Sequence, residues 1–209
     1  MNGLSERLPD GGLHAERLVL RELAHRIDDE LASAIDLVSK AVKRCETTDV
    51  RTTLASVRER LESHARLSHA LQMPQFTTTI DLAAYLQQLC WSISRSSLAG
   101  EGIALTLLLH PLKMSSERCW LLGIIVFELI IDAARRVPRD GTGTIHLAVW
   151  VAAKSVACAI TDNGSSDGCQ DREDDPSLVE SLVTHLDGTV DVHAGPDGTR
   201  AVVNVPRYS

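Results

Sequence analysis

The chain has 209 residues, 44% of them hydrophobic and 23% charged, with a formal net charge of -7, the composition of a globular protein that can bury one large core or two modest ones. Net acidity and an aromatic content of 3% argue against a nucleic-acid surface, which needs a positive footprint and stacking platforms. No run of about 18 apolar residues is present to cross a bilayer and the first residues, MNGLSERLPDGG, lack an export signal, so the expected location is the cytoplasm with no membrane partner.

After the Gly11-Gly12 break, apolar side chains recur at Leu20, Leu23, Ile27, Leu31, Ala34, Val38 and Ala41. Steps of three and four keep one face of a long helix apolar. A second helix is expected to start at Asp49 as N-cap and to run through Val50, Leu54, Val57, Leu61, Ala65, Ser68 and Leu71 to Pro74,. The polar link CETTD makes the pair an antiparallel hairpin. Two helices cannot cover their own apolar stripes, and heptad-like spacing is what two hairpins use to close a four-helix bundle, so a two-fold homodimer is expected over residues 14–74, the alternative being a hairpin that packs on the rest of its own chain.

From residue 75 to 209 the pattern alternates. A helix is expected from Thr79 to about Ser97, then a strand IALTLLLH, then a helix from Ser116 to about Val137 closed by Arg135 and Arg136,. The strands TIHLAVWVA and SVACAITD follow, then an acidic loop, NGSSDGCQDREDD, and a helix PSLVESLVTHL with Pro176 in its first turn,. Two last strands, GTVDVHA and TRAVVNVP, meet through GPDG, where either glycine can supply a positive φ,. The expected class is α+β: a helical hairpin followed by an α/β sandwich with helices on one face of a mixed sheet.

Cys45, Cys90, Cys119, Cys158 and Cys169 show no metal-ligand spacing and an odd count, so they read as reduced, mostly buried small hydrophobes. His64 and His69 lie five apart and do not share a helix face, and His146 and His193 fall in strands. Metal ligation is not expected of them. Trp91, Trp120 and Trp150 are expected to anchor the core.

His25 is the candidate for chemistry. At about 100° per residue it sits roughly 150° from the centre of the apolar stripe and so faces water. An imidazole is a neutral nucleophile near pH 7 that can take a phosphoryl group. Asp28 and Asp29, three and four residues on, share its side of the helix and can orient the ring or take its proton. By itself, an exposed histidine followed by acids is an ordinary solvated face.

Three ordered segments raise that reading. ELAHRIDDELASAIDL resembles the phospho-acceptor helix of sensor histidine kinases of the HisKA_2 and HWE type, whose motif opens on His-Arg. GIIVFELIIDAARRV is similar to the family's ATP-binding helix, with its N-E-L-x-x-N-A core, and ITDNG followed by SLVESLVTHLDGTVDVHAGPDGTRAVVNVP resembles the end of its Bergerat-type (GHKL) ATPase domain. The resemblance implies phosphorylation at His25, Asp162 bonding the adenine amino group with Gly164 beside it, Glu128 as the acid of the ATP-binding helix, and Asp132 where an asparagine helps hold Mg²⁺. Two departures from the pattern bear on nucleotide use. Phe127 stands for the first asparagine, and SSDGCQDREDD replaces a glycine-rich lid with acids that repel a polyphosphate.

The resulting expectation is a histidine phosphotransferase of the two-component phosphorelay, similar to dimeric ones built on a kinase scaffold with a degenerate ATPase domain. It needs no cofactor, and its partners are the receiver domains of response regulators. One alternative is an autophosphorylating kinase using ATP and Mg²⁺; with no sensor segment ahead of the first helix, it would take its input from another protein. The other is a non-catalytic kinase-like protein that sequesters a regulator.

Overall fold

The computed structural model describes residues 11–45, 47–72, 74, 78–152, 154–165 and 178–207, with side chains from residue 22 onward. The chain divides into two compact units, 1–58 and 59–209.

The first unit holds helix α1 (Gly11–Arg44) and the opening turns of α2 (Thr48–Ala70). Asp49 lies inside the first turn of α2 rather than capping it, so the link shortens to residues 45–47. That link is held by Arg51, whose Nη2 and Nε donate to the Cys45 carbonyl at 2.6 and 3.2 Å. A carbonyl left over at the end of α1 thus finds a charged donor. None of the described side chains from 22 to 58 is buried, and Ile27 and Leu37 are 51% and 65% exposed. The apolar stripe of α1 is half-buried at Leu31, Ala34 and Val38 and exposed at Leu23 and Ile27.

The second unit is built on a five-stranded sheet ordered β2 (Ala104–Leu109), β4 (Thr144–Ala152), β5 (Ser155–Asp162), β7 (Gly198–Pro206), β6 (Thr189–Gly195). β2 and β4 run parallel and the other neighbours antiparallel. Register puts Leu147 opposite Ile160 and Ile160 opposite Ala201, and likewise Val149, Cys158 and Val203. Alternation then directs this set to one face. Helices α3 (Leu82–Ile93), α4 (Ser116–Arg136) and α5 (Leu178–His185) supply the opposing side chains of the core, among them Leu86, Leu89, Leu122, Ile125, Ile130 and Val183. The other face carries Thr106, Leu108, His146, Trp150, His193 and Arg200 into solvent.

Asp81 caps α3 by accepting from the Ala84 amide at 3.0 Å, and Ser115 caps α4 by accepting from Arg118 N at 3.4 Å. The three residues before α3, read from sequence as helical, instead form β1 (Thr79–Asp81), antiparallel to β3 (Lys113–Ser115). α3 ends in a π turn over Ser94–Leu98 and a 3₁₀ turn over Ala99–Glu101. In the last hairpin only Gly198 takes a positive φ. Pro176, Cys169 and most of the acidic loop lie outside the described residues.

The later turns of α2 join this second unit: Leu67 is buried, Tyr85 Oη donates to the Ala70 carbonyl at 3.1 Å, and Trp120 Nε1 to the Leu71 carbonyl at 2.8 Å. Trp91 and Trp150, expected in the core, are 51% and 37% exposed, because each falls on the outward side of its helix or strand. Trp120 alone is largely enclosed, since its N-H has a carbonyl to meet,. Cys90, Cys119 and Cys158 are buried free thiols, and burial pushes Cys90 and Cys119 up to about 12 and Cys158 higher still.

Truncating Ile130, 0% exposed, to alanine is expected to cost about 2–5 kcal/mol in urea unfolding. Leu108→Ala, on a residue 74% exposed, is expected to change stability by no more than about 0.5 kcal/mol.

Candidate functional site

On α1, His25 and Asp29 are exposed and Asp28 is half-buried with an interaction of its own. Their spacing puts them on one side of the helix, one turn apart. The adjoining charges form a loose ion pair, Arg26 Nε to Glu22 Oε1 at 3.5 Å, with both side chains mostly in solvent. The imidazole is therefore open to a visiting macromolecule and flanked by carboxylates. Nothing in this helix encloses a small substrate.

The other candidate residues meet at the end of α4. Here the apolar run of the helix carries Asp132 and Arg136 one turn apart on one side, where an acid followed by a base at i+4 pairs naturally. Arg136 Nη1 bonds Asp132 Oδ2 at 2.5 Å, and its Nη2 bonds Asp162 Oδ2 at 2.8 Å. Asp162, the last residue of β5, has a side chain 1% exposed, while Arg136 is 12% exposed and Asp132 40%. The remaining oxygen of Asp162, Oδ1, accepts from the Gly164 amide at 2.9 Å. Arg136 thus ties the helix end to the sheet, and both oxygens of the buried carboxylate are used.

Two glycines allow this closeness. A Cβ on Gly164 would stand 2.7 Å from backbone and side-chain atoms of Arg136, and one on Gly198, at φ 129°, would stand 1.8 Å from the Asp162 carbonyl oxygen. Thr199, next to Gly198, is 2% exposed and its hydroxyl is buried with no hydrogen-bond partner. Burial alone would lower the Arg136 pKa, but hydrogen bonds to Asp162 and Asp132 and the charges of both carry it above its ordinary value,. A cation with a raised pKa stabilises the fold at every pH below its unfolded value and loses that contribution only in strong alkali. The clamp is therefore constant across physiological pH.

The structure brings Asp132, Asp162 and Gly164 together around Arg136. Glu128 sits half-buried one turn earlier on α4, outside the hydrogen-bonded cluster. Phe127 packs against the core. The residue that organises the cluster, Arg136, was read from sequence only as a helix-end charge, although its spacing from Asp132 was the available signal. Asp132 does not fit a Mg²⁺ ligand in this arrangement: Arg136 holds one oxygen, and Arg135 Nη1 lies 3.9 Å from the other. Two guanidiniums repel a dication. Among the described residues no His, Cys, Asp and Glu side chains form a group that could hold a metal. Asp162, whose side chain is 1% exposed, already accepts one hydrogen bond on each oxygen, from Arg136 and from the Gly164 amide.

Replacing Arg136 by alanine is expected to lower stability by about 3–5 kcal/mol, because it strands a buried carboxylate. Asp132→Asn, at a half-exposed position, is expected to cost no more than about 1 kcal/mol. Urea titration of the two variants against the parent chain checks both.

Comparison with known proteins agrees with this architecture. Residues 22–97 match the HisKA_2 family of histidine kinases, and no curated protein matches the sequence. Among solved structures, the histidine kinase domain of the Erythrobacter litoralis EL346 blue-light activated histidine kinase is 19% identical, covering 83% of this chain and 95% of that one with a TM-score of 0.57. The Acinetobacter baumannii histidine kinase AdeS is 14% identical over 84% of this chain and 94% of that one, with a TM-score of 0.52. A bacterial phosphotransferase is 13% identical over 96% of this chain and 100% of that one, with a TM-score of 0.61. At these identities the structural likeness is one of fold. Residues 22–97 thus match a histidine kinase family model, and the chain shares the fold of histidine kinase domains.

Proposed function

We propose that the chain is a phosphorelay histidine phosphotransferase that carries a phosphoryl group on His25 between receiver domains of response regulators. The observation that carries this reading is Arg136. Its guanidinium occupies both acids, Asp132 and Asp162, that a kinase would turn toward its nucleotide. An internal cation neutralises these carboxylates, so the domain keeps the kinase fold without offering their oxygens to ATP.

The donor is then a receiver aspartyl phosphate. A ring nitrogen of His25 attacks phosphorus with its lone pair, the P–O bond to the aspartyl carboxylate breaks, and that carboxylate leaves with the electron pair. Asp28 or Asp29 balances the imidazolium by accepting a hydrogen bond from its other nitrogen. The reverse displacement passes the group to a second receiver. The apolar stripe of α1 and α2, with Leu23 and Ile27 both 51% exposed and Val57 43%, supports a homodimer in which a second copy covers it.

A second reading, an ATP-dependent autokinase, draws support from Thr199. Its buried hydroxyl lacks a partner, and a ligand displacing Arg136 would meet that hydroxyl and the Asp162 carboxylate.

A receiver phosphorylated in advance is expected to label the wild-type chain and not His25→Ala, while millimolar ATP with Mg²⁺ neither labels His25 nor raises the melting temperature. Labelling of His25 by ATP would establish the second reading instead. In sedimentation, the wild-type chain is expected to run as a dimer and the Leu31→Asp, Val38→Asp double variant as a monomer.

A further inference from the structure

We infer that Trp91, Arg66 and Arg95 form a docking patch for an acidic face of a partner protein. The patch lies wholly within the second unit, on α3 with its following π turn and on the later turns of α2. Trp91 is 51% exposed, and the guanidinium carbons of Arg66 and Arg95 lie over its ring, 5.6 and 5.1 Å from the centroid. Both arginines are also held from outside the ring. Arg95 Nη2 pairs with Glu59 Oε1 at 2.5 Å, and Arg66 Nη2 donates to the Ser63 hydroxyl at 3.1 Å. Ser63 is 1% exposed and its hydroxyl is fixed on the Glu59 carbonyl at 2.9 Å.

Half-exposing an indole forgoes burial that the core would reward, so packing does not explain its place. Trp and Arg are the residues that dominate protein interfaces when they sit amid polar neighbours. Here their geometry is set before any partner arrives, which lowers the ordering cost of association. Charge then selects the partner. Two guanidiniums face one carboxylate around the ring, and among the described residues Arg66 has no carboxylate of its own. On a chain of net charge -7 this is a local cationic spot, too small to track a nucleic-acid backbone and suited to bidentate bonds with the carboxylates of an acidic protein face. The inference is independent of the phosphorelay reading, since it concerns neither His25 nor the Arg136 cluster.

Titration of the full chain with poly-L-glutamate at low salt, followed by tryptophan emission, tests it. Binding is expected to change the emission, to weaken with salt, and to fall about tenfold in Arg66→Gln, Arg95→Gln. Glu59→Gln, which frees Arg95, is expected to tighten binding, and Trp91→Phe to abolish the emission change. If circular dichroism shows the double variant unfolded, Glu59→Gln and Trp91→Phe decide the matter. An absent emission change, undiminished binding by a folded double variant, weaker binding by Glu59→Gln, or an emission change that survives Trp91→Phe would overturn the docking patch.

Discussion

One guanidinium determines how the second unit is organised. Arg136 stands where the last turn of α4 meets the end of β5, and it satisfies a carboxylate that is 1% exposed. A buried carboxylate without a counter-ion is among the costliest features a fold can hold, so the pairing is obligatory once Asp162 is placed inside. The glycines on either side of Asp162 follow from the same constraint. Gly164 lets the loop amide reach the carboxylate, and Gly198 lets β7 pass against the Asp162 carbonyl.

The same contact bears on chemistry. Asp132 and Asp162, the acids that the family resemblance singles out, share one cation. Electrostatic preorganisation works when charges are aimed at the reacting group. In this chain they are aimed at each other through Arg136, while the imidazole of His25 stands exposed on α1. The two units thus differ in build: the second packs a sheet against three helices, and the first presents His25 on a helix with little buried surface.

That contrast between the units has a simple origin. In the second unit, the period-2 pattern of Ile145, Leu147 and Val149 meets the helical stripes of α3 and α4 and closes a core. In the first, a stripe of the same quality on α1 meets nothing within 22–58 that buries it. α2 belongs to both: its early turns stay open, while its later turns are fastened by Leu67 and by the Tyr85 and Trp120 hydrogen bonds.

Local pattern made most elements legible. The strands 144–152 and 155–162 stand where alternation put them, and α4 starts at Ser116. Misreadings came where local signals compete. Thr79–Asp81 pairs with a strand over thirty residues away instead of extending α3, and Trp91 and Trp150 face outward because side-chain direction, not hydrophobicity, is fixed by the backbone period. What the sequence determined alone was the order of most helices and strands and the exposure of His25 on the polar face of its helix. Only the tertiary structure decided that Arg136 claims both acids. Pairing across 26 positions depends on how far a helix end lies from a strand end, a distance that no spacing along the chain encodes.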